Sequence, residues 1–500
     1  MARTYFRKNP TRIVGMLIVI VWLVLMGILI ARQKVARPEN TYNIPAALLE
    51  EKWMNVRFMG EKVGWAHGKV EPIEDGYLVK ADVSMSILAL GVKQEFQSSV
   101  EARIDKKFRM KNFSATLNTK AQNILIEGEV EKLTLSFRIH SPPHAPGEER
   151  KVKIKEPITL VDVVALKAVE KGLKGGEKFK IYTFDPMTQS LDYMDAEVSG
   201  REEVEVMGGK INAWALKTRF LGVDSRYWID EAGRTLRVEA PMGIVMELTT
   251  KADAMRKEGS ASLDIVEEAA ILPDKPIFSA RSLKYLKLKL SGVESMQIAD
   301  LDGGVQSALW DEANGEKWAI VTINIPHVGD GYELPDNGFE RESYLVAEPL
   351  LQSDDPQIKK TAFIIVGEEK NAVKVAELLN NWVFENVRKK PALTIPSALD
   401  VLKSKEGDCN EHTILYVALA RALGLPARVA VGVVYLNGAF YYHAWPEIWL
   451  GDGSGWVPTD PTFGIFPADA SRVRLAVGSL QNQMAVAQFM GKLKIEVLEF

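Results

Sequence analysis

A single cysteine, Cys409, stands among 500 residues, so no intramolecular disulfide can brace this fold in any compartment. Histidine is scarce too, with six in the chain. His67, His140 and His144 lack the spacing of a metal-ligand set and read as surface residues. No basic block interleaved with aromatics occurs, which excludes an extended nucleic-acid-binding face. No calcium-loop spacing is present either, and no obligatory metal or other cofactor is expected. One long uncharged run is almost wholly apolar, residues 13–31.

As a helix that run of 19 residues would span about 28 Å, close to the thickness of a bilayer core. Arg3, Arg7, Lys8 and Arg12 precede it, and Arg32, Lys34 and Arg37 come after it. The run is longer than the apolar part of a signal peptide, and basic residues succeed Ala31 where a small-residue cleavage site belongs. Residues 1–37 therefore predict an uncleaved single-pass anchor in the cytoplasmic membrane. The basic asymmetry, four residues against three, places the N-terminus inside and the bulk of the chain in the periplasm or outside the cell. Beyond the anchor, 55 basic residues face 66 acidic ones, a mildly acidic body.

The remaining length and its 47% apolar content suit several cores. Residues 45–252 read as a β-rich domain, a curved sheet or half-barrel. Val79, Ala81, Val83, Met85 and Ile87 alternate with polar residues, as do Leu133, Leu135, Phe137 and Ile139, the signature of antiparallel strands with one wet face. Gly208-Gly209 and Asp230–Gly233 mark hairpin turns, and one helix is expected near 160–173. A linker is expected over 253–280, and over 281–340 a small β unit, or an extension of the domain after it. Residues 341–480 form the chemical domain, with a C-terminal segment at 481–500.

Within 341–480 a helical stripe of Val373, Val375, Leu378, Leu379, Trp382 and Val383 is predicted. A short helix capped by Ser397 comes next, then a third helix from Cys409 to Gly424 with Pro426 beyond it. Asn437-Gly438 is a two-residue hairpin signal between strands 429–436 and 440–450. His443 lies on the returning strand and Asp460 on the next one.

A thiol at a helix N-terminus faces unpaired N–H groups and the positive end of the helix dipole, which favour the thiolate and predict a lowered pKa. With His443 as proton shuttle and Asp460 as its orienter, Cys409 is a candidate nucleophile. Asp408, Trp445, Trp456 and His412 are candidate supporting or cleft residues, and Glu447 shares a strand face with His443. A zinc site built from Cys409, His412, His443 and Asp460 would compete with thiolate chemistry.

The stretches Gly407-Asp408-Cys409, Ala420-Arg421-Ala422-Leu423-Gly424-Leu425-Pro426-Ala427-Arg428, His443-Ala444-Trp445 and Trp456–Thr462 resemble the transglutaminase-like core of the papain-like superfamily, in its bacterial membrane-anchored form. The resemblance covers about 340–475. It implies an α+β fold with helices on an antiparallel sheet, a Cys409–His443–Asp460 triad, and acyl transfer from an amide or peptide through a thioester. Pro446 departs from the branched aliphatic residue usual in the His strand, and Trp382 is either a core tryptophan of the apolar stripe, the favoured reading, or an oxyanion side chain. No second-substrate site is legible, so a protease or amidase acting on a protein or peptide is favoured over a cross-linking enzyme. The alternative is a catalytically idle, membrane-anchored binding module. A partner for the β-rich domain is expected from the layout alone.

Overall fold

A computed structural model describes residues 51–89, 92–119, 123–140, 147–160, 163–186, 190–256, 264–294, 296, 301–348, 350–390, 397–478 and 486–500. The expected anchor at 13–31 lies outside them, and no described helix is long and apolar enough to cross a membrane. The protein is a sheet-rich α+β chain of two compact units, one ending at Ile265 and the other running from Val266 to Phe500.

The first unit is one antiparallel 14-stranded sheet. A first run of hairpins leads from β1 (Lys52–Phe58) through β5 (Met110–Thr119) and β7 (Thr134–His140) to β8 (Glu148–Lys153). A second leads from β9 (Lys178–Asp185) to β14 (Ile244–Thr249), and β1 pairs with β14 to join the two. The period-two pattern is realised: Val79, Ala81, Val83, Met85 and Ile87 are all buried. Leu133 falls in a turn and is exposed. The sheet curls. Phe184 of β9 lies 5.7 Å from Phe113 and 5.3 Å from Phe137 by ring centroids, and Thr159 bridges to both Arg109 and Thr183. The expected helix is α1 (Val163–Glu170). One turn falls a residue earlier than expected. Val206 pairs with Gly209, leaving Met207 and Gly208, both at positive φ, as the loop. His67 is half-buried rather than on the surface, with Nδ1 3.2 Å from Asp82 and its ring on Trp53.

In the second unit, β15 (Tyr285–Ser291), β16 (Gln306–Ala313) and β17 (Glu316–Asn324) pair with the last strand, β24 (Lys494–Glu499), in the order β16-β17-β15-β24. Leu286, Leu288, Val321, Ile495 and Val497 share one core with Leu379, Leu415 and Val431. The segments 281–340 and 494–499 therefore extend the same body as 341–480. Much of the expected linker is also built in: Ile271 and Phe440 exchange backbone hydrogen bonds of 2.8 Å, and Ile277 is buried.

Four helices come next: α2 (Pro356–Val366), α3 (Ala372–Asn386), α4 (Ala398–Ser404) and α5 (Cys409–Ala422). Asn371 and Ser397 cap α3 and α4 through their side chains, removing orphan N–H groups at each start. The buried face of α3 is Ala372, Val375, Ala376, Leu379, Asn380 and Val383. Leu378, placed on the stripe by sequence, is exposed, because the 3.6-residue period puts it a quarter-turn from Leu379.

Candidate active site

Cys409 opens α5, whose residues Asn410 to Arg421 are all buried. Helices α2, α3 and α4 pack on one side and a second antiparallel sheet on the other. Its start is fixed by a capping box. The Asp408 side chain accepts from Asn410 N–H at 3.0 Å, and Glu411 accepts from Asp408 N–H at 2.9 Å. Gly407 is required here, since a Cβ would run into the Glu411 side chain. The far end closes with Leu425 N–H on the Ala420 carbonyl at 3.0 Å and Gly424 at positive φ. Both arginines of the 420–428 stretch are structural. Arg421 donates to the Ala427 carbonyl and to Glu348, and Arg428 pairs with Glu447 at 2.6 Å.

The second sheet has the order β22-β21-β20-β23, where β20 is Ala427–Leu436, β21 Ala439–Trp449, β22 Trp456–Pro458 and β23 Arg472–Val477. Asn437 and Gly438 both take positive φ between β20 and β21, the conformation a tight two-residue hairpin needs. Pro446 sits in register with Val429, and its carbonyl accepts from Thr459 N–H at 2.9 Å, so no local gap opens beside it.

His443, on β21, and Asp460, just past β22, are both buried, and His443 Nε2 lies 2.8 Å from Asp460 Oδ2. Asp460 accepts the Nε2 proton, which leaves Nδ1 as the open nitrogen. Arg472 grips the same oxygen through Nε and a terminal nitrogen at 2.9 and 2.6 Å, while Thr462 and Phe463 N–H groups donate to Oδ1. Burial opposes ionisation of Asp460, yet the charges of His443 and Arg472 outweigh it and hold the carboxyl well below its usual value. Arg472 also meets Asp469 at 2.9 Å. Thr459 donates to Asn380 on α3 at 2.9 Å, tying the Asp460 loop to the helices.

Sequence reasoning missed Arg472, Asn380 and Phe463. The available signal was Arg472-Val473-Arg474 inside an apolar strand: buried guanidiniums require buried carboxylates. Arg474 meets Glu447 at 3.4 Å, so Glu447 balances two arginines rather than lining a cleft.

Cys409 is half-buried, and its thiol corrects an expectation. Burial pushes the thiol well above its usual value, and Asp408, Glu411 and Asp460 push the same way; the Ala444 backbone amide opposes them. The helix terminus is overridden because the capping carboxylates that build it stand beside the sulfur. The Ala444 contact sets the sulfur against the residue next after His443.

His412 supports the site from inside rather than lining a cleft. It is fully buried, with Nδ1 2.6 Å from the Asp408 carbonyl and Nε2 3.1 Å from that of Val387. Both nitrogens face carbonyl oxygens, one at the start of α5 and one at the end of α3; a neutral ring donates to one of them, and neither nitrogen is turned toward a metal shared with Cys409. Burial lowers its pKa. Trp445 is no cleft wall either. It is 1% exposed and stacks on His443 at 6.1 Å. Trp456 is half-buried under Arg428, 4.2 Å away. Trp382 packs against the core beneath Lys405.

Residues 359–461 match the family model of the transglutaminase-like superfamily. This part of the chain, which contains Cys409, His443 and Asp460, is a transglutaminase-like domain. Residues 54–249 match a second family, a protein of unknown function (DUF3108), so the β-rich unit and the transglutaminase-like domain are separate family modules in one chain. An uncharacterized protein of Haemophilus influenzae strain Rd is 31% identical over 162 residues, covering 27% of this chain and 42% of that protein. The chain thus spans about two fifths of the length of this curated relative. Among solved structures, a candidate cysteine protease of Cytophaga hutchinsonii is 20% identical with a TM-score of 0.30, over 42% of this chain and 82% of that one. A beta-barrel-like protein of a domain of unknown function (DUF1849) from Brucella abortus is 9% identical with a TM-score of 0.32, over 40% and 95%. Neither structural likeness is strong enough to carry weight.

Proposed function

We propose that the transglutaminase-like domain transfers an acyl group from an amide to water through a thioester on Cys409, acting as a protease or amidase. The observation that carries this reading is the buried His443 Nε2–Asp460 pairing at 2.8 Å, which leaves Nδ1 free to serve a thiol. The Cys409 proton passes to Nδ1 as sulfur attacks the carbonyl carbon, and Asp460 steadies the imidazolium. The oxyanion accepts from Cys409's own N–H, because the Asn410 and Glu411 N–H groups are held by the Asp408 cap and that of His412 by the Asp408 carbonyl. Collapse breaks the C–N bond, and the leaving amine takes the proton from His443. Water then gives His443 a proton as its oxygen attacks the thioester carbon; the C–S bond breaks, the thiolate takes the proton back from His443, and the acid leaves.

The test is to incubate the protein with a library of amide-linked peptides and quench in acid for intact mass. The wild type should show an adduct on Cys409 that neutral hydroxylamine removes. Cys409→Ser should show no hydroxylamine-labile adduct and lose turnover by about 10³-fold or more, the scale of losing a nucleophile. Turnover surviving in Cys409→Ala would sink the reading.

The run at 13–31 supports a second part of the proposal, attachment to the cytoplasmic membrane with both units outside. Carbonate-washed membranes should retain the full chain, and protease added to spheroplasts should digest it. Release of the chain by the wash, or protection from protease, would overturn the anchor or its orientation.

A further inference from the structure

Lys389 lies in β18 (Arg388–Lys389), paired in parallel with β19 (Glu406–Gly407) so that Lys389 stands beside Gly407, two residues before Cys409. It is exposed, and its Nζ sits 5.0 Å from the Phe384 ring and 5.6 Å from the Phe463 ring. Phe463 in turn lies 5.1 Å from the His443 ring, with Arg281 4.8 Å over it. Two cations therefore crown the aromatic ring that touches the candidate base, and one flanks the strand leading to the nucleophile.

The local carboxylates are already engaged. Asp408 and Glu411 form the cap, Asp460 and Asp469 hold Arg472, and Asp469 also meets Arg281 at 3.5 Å. Glu406 pairs with both Arg388 and Lys390, the neighbours of Lys389. Lys389 pairs with no carboxylate among the described residues, although aromatic faces hold it in place.

We infer that Lys389 binds a carboxylate carried by the substrate close to the reacting carbonyl, so that this site selects acidic amides. This rests on Cys409 being the His443-assisted nucleophile. A unit cation at the mouth of a partly dry site favours an approaching anion several-fold, and salt weakens the preference.

The test needs no substrate, because Cys409 is the only thiol. Rates of alkylation by iodoacetate, an anion, and iodoacetamide, its neutral analogue, are measured for the intact protein. Their ratio is taken within each variant, so general changes in thiol reactivity cancel. In the wild type the ratio should exceed that of N-acetylcysteine and fall as salt is raised. Lys389→Gln should lower it by about three-fold or more, and Lys389→Arg should keep most of it. A wild-type ratio no higher than that of N-acetylcysteine, or one untouched by Lys389→Gln, would overturn the inference and leave the proposed nucleophile standing. Iodoacetamide labelling that does not depend on His443 would remove the nucleophile assignment and this inference with it.

Discussion

Replacing His443 with alanine is expected to slow alkylation of Cys409 by iodoacetamide at pH 7 by at least about ten-fold, and to leave a thiol that titrates above the ordinary cysteine value of about 8.5 with no base beside it. The thiol is half-buried, and the carboxylates of Asp408, Glu411 and Asp460 stand near it. Without the imidazole, the Ala444 amide and the N–H groups of α5 are left to favour the thiolate, and burial with those negative charges outweighs them. His443 changes this by accepting the proton, which turns a costly buried anion into an ion pair backed by Asp460. The variant should therefore be less reactive than a free thiol, not merely ordinary. Folding can be checked separately, since His443→Gln keeps a polar side chain but cannot accept the thiol proton as imidazole does, and should be equally slow. Equal rates and equal midpoints in wild type and both variants would remove His443 from the chemistry.

The second large effect is structural. Arg472→Leu should destabilise the second unit by about 3–5 kcal/mol, because it strands a buried carboxylate. Asp460 is 0% exposed and Arg472 is 3% exposed, so water cannot replace the missing charge. Hydrogen exchange at the α5 amides should accelerate by about 10²-fold or more if those amides exchange through the same opening. The double variant Arg472→Leu, Asp460→Asn should recover part of the loss, since the stranded charge is then gone. Exchange in Arg472→Leu within a few-fold of wild type would mean the pair carries little of the stability.

The same pair sets a pH dependence. Folding depresses the Asp460 pKa, so its stabilisation is present above the unfolded carboxylate value near 4 and is lost as pH falls from there toward the depressed folded value. Asp460→Asn should flatten the stability profile in that acid window.

The sequence carried the local elements because each is set by nearby residues. The Asn437-Gly438 turn, the Ser397 cap and the α5 start at Cys409 all fell where short-range stereochemistry placed them. The pairing of His443 with Asp460 was legible because one short turn, residues 450–455, joins the His443 strand to the strand just before Asp460. What stayed hidden involves partners far apart in the chain. Arg472 on Asp460, Asn380 on Thr459, and β24 beside β15 depend on strand order and helix packing, which no local pattern encodes. That His412 and Trp445 support the site from inside the fold rather than line a cleft was hidden for the same reason. A polar or aromatic residue beside a candidate nucleophile reads as accessible until the burial of a whole helix or strand is known.

Charge shows the division most plainly. The sequence by itself determined that one thiol heads a helix, and that a His comes later on one strand with an Asp just past the next. Only the tertiary structure decided the sign of the thiol's pKa shift. That sign depends on how much water burial removes and how near the carboxylates come, and both are set by packing rather than by the order of residues.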